Sequence, residues 1–233
     1  MSETRPAAPA PSGSGARFDT AALIHALTQD QSAPGLSIAA RLTVALALAG
    51  ATALVMFMLA LGPREDWADA LGTFFFVYKF VIVLVLACSA CLLALRLTRP
   101  GASGGPNGWL MLAAPALLIG GIALDLMLSR GNVDAESWQA RLIGDNALIC
   151  LTAIPLMSLP LLGAAIWALR HGASTRPALS GAVAGLLAGG LAAFLYAAHC
   201  TDDSPLFVAT WYSIAIGAVS VLGALIGRRV LRF

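Results

Sequence analysis

The sequence carries little charge for its length. Only 11% of its 233 residues are Asp, Glu, Lys or Arg, whereas soluble globular domains carry about 25%. Hydrophobic residues make up 59% of the chain, and the mean hydropathy is +0.83. A chain of this composition cannot cover itself with a surface that water wets, so a water-soluble globular protein is excluded.

The sequence also has few cysteines and no basic patch. Four cysteines are too few for a disulfide scaffold, so their positions matter more than their number. Nowhere do basic residues cluster with interleaved aromatic residues, and we therefore expect no direct contact with nucleic acid. A basic N-terminal stretch with an early apolar run and a cleavage site is missing, so we expect no removable signal peptide.

What the sequence does contain is six long apolar blocks separated by short polar connections. Each block is near the ~20 residues that a helix needs to cross a bilayer core, whereas a spanning strand needs only ~10 residues of alternating polarity. We therefore predict an all-α polytopic membrane protein, with a six-helix transmembrane bundle in residues 42–227. The predicted spans are 42–61, 74–95, 109–128, 147–169, 179–199 and 206–226.

Glycines recur at intervals of four in the last two blocks. Gly181, Gly185 and Gly189 lie in the fifth block, and Gly223 and Gly227 lie in the sixth. Small residues at this spacing let helix backbones approach closely inside a membrane, where no hydrophobic effect drives association. We therefore expect these glycines to serve packing between helices.

Basic and acidic residues are unevenly divided between the two sides of the predicted bundle. The N-terminus, the second-to-third loop, the fourth-to-fifth loop and the C-terminus together hold ten basic and three acidic residues. The other three loops hold three basic and eight acidic residues. Because Lys and Arg are enriched on the cytoplasmic side of membrane proteins, we predict a multi-pass bacterial inner-membrane protein with both termini in the cytoplasm.

The chain ends outside the blocks are polar. Residues 1–17 are rich in Pro, Ala, Ser and Gly, cannot bury enough apolar surface to fold, and are predicted to be a disordered tail. Residues 18–41 form a predicted cytosolic N-terminal segment, and residues 228–233 form a predicted cytosolic C-terminal tail.

A short cytosolic helix is one interpretation of residues 19–31. Asp19 is a suitable N-cap, and three apolar residues share one narrow stripe of the helix: Leu23, Ile24 and Leu27. A solvated linker beside the membrane explains the same composition equally well, so both interpretations stay open.

Lys79 and Asp125 are the two ionisable residues inside the predicted spans. Each lies a few residues from the outer end of its helix, which at ~1.5 Å per residue places both at a similar depth. An unpaired charge at this depth costs about 3 kcal/mol or more. We therefore expect an intramembrane ion pair between Lys79 and Asp125, with separate extension of each side chain to the outer interface as the alternative.

The four cysteines form two pairs in different surroundings. Cys88 and Cys91 form a C-x-x-C sequence in an apolar part of the second span, where nothing stabilises a thiolate, and we interpret them as packing residues. Cys150 opens the fourth span and Cys200 closes the fifth, so the predicted orientation puts both at the oxidising outer face. Two thiols there could form a reversible disulfide or bind a soft metal ion. Two buried residues that never meet remain the other interpretation.

The C-terminal third of the sequence contains HCTDDSPLFVATWYSIAIG and the closing LGALIGRRVLRF, and the fourth span, the loop after it and the start of the fifth span contain LICLTAIPLMSLPLLGAAIWALRHGASTRPALSGAVAG. These segments resemble the NrsF family. The resemblance also includes FVYKFVIV in the second span and FDTAALIHAL near the N-terminus, so it covers nearly the whole chain from Phe18 onward. The chain departs from the family in its longer Pro- and Ala-rich tail and in Cys88 and Cys91.

The resemblance implies an anti-sigma factor and not an enzyme. Members of the family are six-helix inner-membrane proteins that act as negative regulators of an extracytoplasmic-function sigma factor. The resemblance implies such a sigma factor as the partner at the cytosolic face, held by a segment near residues 18–40, and it implies no cofactor. The candidate partner-binding residues in that segment are Leu23, Ile24 and Leu27. The family's cysteine pair falls on Cys150 and Cys200, which the resemblance therefore implies to be the sensor thiols.

Two other classes of function fit the sequence less well. A membrane thiol-disulfide oxidoreductase needs two cysteine pairs near the outer surface, but the pair Cys88 and Cys91 lies in the inner half of its span. A small transporter usually shows inverted repeats and broken helices with polar centres, and no convincing repeat is present. The identity of the sigma factor, the choice between metal and oxidant as the signal, and the oligomeric state stay open.

Overall fold

The computed structural model describes residues 20–21, 24–25, 36–99, 105–129 and 135–231. The chain divides into two units, residues 1–36 and residues 37–233. Four residues of the first unit are helical and exposed: Thr20, Ala21, Ile24 and His25.

The predicted partner-binding stripe is only partly described. Ile24 is 59% exposed. Leu23, Leu27 and the predicted tail of residues 1–17 lie outside the described residues. The role of the stripe therefore stays a prediction.

Every regular element in the described part of the second unit is a helix. The helices are α1 (Ile38–Ala60), α2 (Trp67–Ala70), α3 (Phe74–Leu97), α4 (Gly105–Leu110), α5 (Ala113–Leu128), α6 (Ala135–Ile143), α7 (Ala147–Leu169), α8 (Pro177–Ala197), α9 (Pro205–Phe207) and α10 (Ser213–Val230). A π-helical segment, Val208–Tyr212, joins α9 to α10.

Six stretches among the described residues are long and apolar enough to cross a membrane. They are Ile38–Ala60, Phe74–Leu97, Gly108–Leu128, Trp138–Leu169, Pro177–Ala197 and Pro205–Val230. The predicted all-α class and the predicted number of six spans are confirmed.

α8 lies at the centre of the bundle. It packs against α10, α3 and α7, while α1 packs mainly on α7 and α5 mainly on α3. Its most apolar window is 61% buried, the largest share among the six spans, whereas the third span is only 11% buried. α8 also touches α1, so four of the other five long helices pack against it.

Glycines allow the closest helix contact, which joins α8 to α10. A Cβ atom on Gly185 would lie 2.5 Å from the carbonyl oxygen of Val219, and the backbones of Gly181 and Gly223 are closer still. A side chain at these positions would therefore push the two helices apart. The recurring glycines act in helix packing, as their spacing indicated.

Two glycines with positive φ shape the connections at one end of the bundle. Gly62, with φ 71°, follows α1, and Gly144, with φ 57°, precedes α7. This left-handed conformation favours glycine because it has no Cβ. A Cβ on Gly144 would also lie 2.5 Å from a carboxylate oxygen of Asp202. The turn before α7 thus makes room for that carboxylate.

Candidate functional site

Three connections between spans meet at one end of the bundle, which we call the acidic end and define by Asp66, Asp145, Asp202 and Asp203. The carboxylate of Asp202 accepts hydrogen bonds from the backbone N–H of Asp145 at 3.2 Å and from that of Asn146 at 2.9 Å. The side-chain amide of Asn146 donates to the same carboxylate at 2.9 Å. The connection after α8 is therefore fixed to the start of α7. The hydrogen-bonded groups of Asp145, Asn146 and Asp202 form a polar layer.

Cys150 and Cys200 lie in the core just beneath the polar layer. Cys150 belongs to the first turn of α7, where its backbone N–H donates to the carbonyl of Asn146 at 2.8 Å. Cys200 follows α8, and its backbone N–H donates to the carbonyl of Tyr196 at 3.1 Å. Both side chains are 0% exposed, and both thiols are free. The two residues interact electrostatically, so the fold brings together a cysteine of α7 and a cysteine of the connection after α8.

Two tyrosines complete the surroundings of the thiols. The rings of Tyr196 and Tyr212 have centroids 5.7 Å apart, and both side chains are fully buried. Tyr196 donates its hydroxyl to the carbonyl of Asn146 at 3.2 Å. The Tyr212 hydroxyl is the one buried side-chain polar atom, among the described residues, that lacks a hydrogen-bond partner. This hydroxyl interacts with the thiols of both Cys200 and Cys150.

The environment of Cys200 keeps its thiol protonated. Burial is the main cause that raises the pKa of Cys200 above the usual value of 9.0, and the positive charge of Lys79 opposes it. The thiol also lies 3.7 Å from the carbonyl oxygen of Asp202, to which it donates. Since the thiolate is the reactive form of cysteine, Cys200 is unreactive in this conformation.

A cluster of four charged residues, which we call the charge cluster, lies beside the thiols. Its members are Arg64, Asp66, Lys79 and Asp203. Lys79 Nζ lies 2.5 Å from one carboxylate oxygen of Asp203, and Arg64 Nη1 lies 3.0 Å from the other. Lys79 also donates to the backbone carbonyl of Cys200 at 2.6 Å. The charge cluster thus joins α3, the connection after α1 and the connection that carries Cys200.

Arg64 binds Asp66 through two parallel hydrogen bonds of 2.6 Å each. The hydrogen bond to Asp66 is the main cause that raises the pKa of Arg64, and the same bond lowers the pKa of Asp66. Both Arg64 and Lys79 also lie over the ring of Phe76, at 5.2 Å and 4.9 Å from its centroid. With 8% and 1% of their side chains exposed, the two cations are held almost entirely by protein groups.

The predicted ion pair between Lys79 and Asp125 is wrong. Lys79 pairs with Asp203, while Asp125 pairs with Arg141 at 2.9 Å. The prediction considered only residues inside the predicted spans, and each actual partner lies outside those predicted bounds. Asp203 lies in the connection after α8, and Arg141 lies in α6, which precedes α7. Asp203 and Arg141 therefore pair with the two charges, which avoids the free-energy cost of an unpaired charge in the membrane.

Several residues of the site were missed by the sequence interpretation. Five of them were given no role from the sequence: Arg64, Tyr196, Asp202, Asp203 and Tyr212. The run from His199 to Asp203 places two acids directly after a cysteine, and this was the available signal for a polar layer. Nothing in the sequence placed Arg64 beside that run, because the contact joins the first loop to the fifth.

The acidic end offers few ligands for a metal ion. No group of three or more His, Cys, Asp or Glu residues in the described ranges could hold one. His199 is directed elsewhere, since its Nδ1 lies 3.0 Å from the carbonyl oxygen of Gly62. A metal ion at this site would therefore depend on the thiols of Cys150 and Cys200.

The other cysteine pair lies along α3, away from the acidic end. Cys88 is exposed and Cys91 is half-buried. Both line an apolar cavity of about 460 Å³ between α1, α3 and α8. Cys88 therefore does not fill space in the core, which differs from the packing role expected for it.

The fold and the site together define a multi-pass helical membrane protein with paired buried thiols at one end. The chain belongs to the NrsF family, described as negative regulator of sigma F, whose family model matches residues 27–233. The resemblance inferred from the sequence is confirmed.

Two curated relatives extend this comparison. The chain is 34% identical over 195 residues to the anti-sigma-F factor NrsF of Caulobacter vibrioides (strain NA1000 / CB15N), with 83% of this chain and 89% of the relative covered. It is 31% identical over 199 residues to a probable anti-sigma-F factor NrsF of Azospira oryzae (strain ATCC BAA-33 / DSM 13638 / PS), with 84% and 91% covered. No solved structure matches the chain significantly.

Proposed function

We propose that this protein is a membrane-bound anti-sigma factor that holds an extracytoplasmic-function sigma factor at the cytosolic face and releases it when Cys150 and Cys200 react. The family assignment and the names of both relatives support the regulatory role. One structural observation carries the sensing role: Cys150 of α7 and Cys200 of the connection after α8 lie buried in one core at the acidic end.

The orientation follows from charge. The acidic end carries the loops with few basic residues, and the opposite end, which we call the basic end, carries the arginine-rich second-to-third and fourth-to-fifth loops and the end of α10 with Arg228 and Arg229. The positive-inside rule places the basic end in the cytoplasm of an inner-membrane protein. The thiols then lie near the periplasmic surface, where oxidants and metal ions arrive.

The chemistry of the thiol pair is simple in either case. A peroxide would take two electrons and two protons from Cys150 and Cys200, which would form one S–S bond and reduce hydrogen peroxide to two molecules of water. A soft divalent metal ion would displace the two thiol protons and bind both sulfur atoms. Each reaction needs the polar layer around Asp202 to open first, because both thiols are fully buried.

The sensing role is tested by replacing each cysteine. In cells that carry a reporter gene controlled by the sigma factor, Cys150→Ser or Cys200→Ser should reduce the response to peroxide or cadmium at least tenfold. Cys88→Ser is the matched control, since it removes a thiol away from the acidic end, and it should leave the response unchanged. An unaltered response in both site variants would contradict the sensing role.

The anti-sigma role is tested separately by copurification of the full-length tagged protein with the sigma factor from membranes. The triple substitution Leu23→Asp, Ile24→Asp and Leu27→Asp should abolish copurification if this stripe contacts the partner. Thr20→Asp, at an exposed position of the same segment, is the control and should retain the partner. Absence of any sigma factor from the wild-type sample would contradict the anti-sigma role.

A further inference from the structure

The backbone of Cys200 is held by a helix from a distant part of the chain. Lys79 is the only lysine in the sequence, and in α3 its side chain is 1% exposed. Its Nζ donates to the carbonyl of Cys200 at 2.6 Å and to Asp203 at 2.5 Å. Hydrogen bonds from a charged donor are shorter and stronger than neutral ones. The connection after α8 is therefore fixed to α3 at the residue that carries the thiol.

The far end of α3 contacts the basic end of the bundle. The carbonyl of Thr98, the residue that caps α3, accepts a hydrogen bond from the backbone N–H of Ala173 at 3.0 Å. A Cβ on Gly172 would lie 2.6 Å from the Cβ of Thr98, so the two residues pack closely, with no room for a side chain on Gly172. Both Gly172 and Ala173 belong to the connection between α7 and α8. α3 thus touches the thiol site at one end and the α7–α8 connection at the other.

α3 is suited to carry a displacement between these two contacts. It is helical without a break from Lys79 to Leu97, and Lys79 and Thr98 are separated by about 28 Å along the axis at ~1.5 Å per residue. Its middle lies directly against α8, where a Cβ on Gly190 would be 3.3 Å from the Cβ of Ala87. A shift of α3 at its acidic end is therefore transmitted along a rigid, packed helix.

We propose that Lys79 is a positioning residue that couples the state of Cys200 to the basic end through α3. A bond from Cys200 Sγ to Cys150 or to a metal ion displaces the Cys200 backbone, and the donated hydrogen bond from Lys79 passes this displacement to α3. The contact of Thr98 with Ala173 then changes the α7–α8 connection. This coupling rests on the proposed sensing role of Cys150 and Cys200.

The test compares thiol reaction with transcriptional response in the same full-length variants. Lys79→Met removes the donor but keeps a long apolar side chain, while Lys79→Arg keeps a charged donor. Asp125→Asn is the matched control, because it breaks the other ion pair at the acidic end, that with Arg141, without touching Cys200. For each variant, formation of the Cys150–Cys200 disulfide with peroxide is followed by mass spectrometry, and the sigma-dependent reporter is measured in parallel.

We expect Lys79→Met to form the disulfide as completely as the wild type but to lose at least tenfold in reporter response. Lys79→Arg and Asp125→Asn should both respond within about twofold of the wild type. If Lys79→Met responds normally while Cys200→Ser does not, the coupling through Lys79 is overturned and the sensing role stands. If Cys200→Ser itself responds normally, the sensing role is overturned regardless of Lys79.

A second variant covers the case in which Lys79→Met does not accumulate in the membrane. The exchange of Lys79→Asp with Asp203→Lys keeps an ion pair between these two positions but removes the bond from Arg64 to Asp203, and a carboxylate on α3 cannot donate to the carbonyl of Cys200. We expect this double variant to be inserted and to form the disulfide, with the same loss of response. A wild-type response in the double variant, or failure of Lys79→Arg to restore coupling, would overturn the proposal.

Discussion

At the scale of single residues, the reactivity of Cys200 is controlled by what covers it. Its thiol is 0% exposed and donates to the carbonyl of Asp202, while the carboxylate of Asp202 accepts hydrogen bonds from Asp145 and Asn146. Desolvation in this core disfavours the thiolate. Reaction therefore requires the connection that carries Asp202 to separate from the start of α7.

The raised pKa of Cys200 predicts an unusual pH dependence of alkylation. In a variant that keeps only this cysteine (Cys88, Cys91 and Cys150→Ser), the rate of reaction with iodoacetamide should stay low as the pH rises from 7 to 9. The same protein unfolded in sodium dodecyl sulfate is the control, and its rate should climb as the pH approaches the ordinary thiol value of 9.0. Mass spectrometry of the alkylated peptide measures both rates.

The raised pKa of Cys200 also makes the stability of the folded protein depend on pH. Because the pKa of the Cys200 thiol is raised in the folded protein, the protonated thiol contributes its stabilisation below pH 9.0. That contribution is lost as the pH rises through the folded value. Identical alkylation profiles for the folded and unfolded protein would contradict burial of this thiol.

At the scale of helices, the contact between α8 and α10 depends on the absence of side chains. Inside a membrane, helix association relies on close packing, and small residues permit it. Gly185 faces the backbone of Val219 and Ser220 at distances that no Cβ could occupy. α8 also contacts α3 and α7, so separation of α8 from α10 disturbs the packing around the thiol site.

Replacement of Gly185 by Ala should destabilise the bundle. The added methyl group would lie 2.5 Å from the carbonyl oxygen of Val219 and 2.6 Å from the Cα of Ser220, which forces the helices apart. We expect a loss of about 1–3 kcal/mol, the usual cost of overpacking a well-packed core. Thermal unfolding of the detergent-solubilised protein measures the effect.

Gly217→Ala is the matched control for this prediction. Gly217 lies in α10, where a Cβ would meet nothing within 4 Å. Since Ala is the better helix former, this substitution should leave the melting temperature unchanged or raise it slightly. Equal melting temperatures for Gly185→Ala and the wild type would show that the α8–α10 contact is looser than the structure has it.

At the scale of the whole molecule, the proposed function depends on which end of the bundle faces the periplasm. The two ends differ in charge, and the positive-inside rule predicts that the acidic end faces outward. The native cysteines are poor probes of this orientation, because Cys150 and Cys200 are buried. Exposed positions in the connections report sidedness directly.

Single cysteines introduced at the two ends should therefore label differently. In a background with all four native cysteines replaced by Ser, Glu65→Cys at the acidic end should react with a membrane-impermeant maleimide in intact spheroplasts. Thr175→Cys at the basic end should react only after lysis. Both positions are exposed in the structure, so accessibility does not distinguish them. The reverse pattern would contradict the proposed orientation and the proposed periplasmic location of the thiols.

Sequence alone was sufficient for the properties that are set by composition and by long apolar runs. Six blocks near the length of a bilayer crossing determine an all-helical, six-span protein, because the backbone of a spanning segment must satisfy its own hydrogen bonds. The glycine spacing in α8 and α10 likewise indicated close packing, since that pattern depends only on local helix geometry. The family resemblance also followed from sequence, through segments distributed along the chain.

Only the tertiary structure decided which charges and thiols meet. Lys79 binds Asp203 and not Asp125, and Arg64 joins them from the first loop. These contacts join residues more than 120 positions apart. They depend on how three connections between the spans fold over one end of the bundle, and no local sequence pattern encodes that arrangement. The same folding buries Cys150 and Cys200 together, which turns two scattered cysteines into one candidate site.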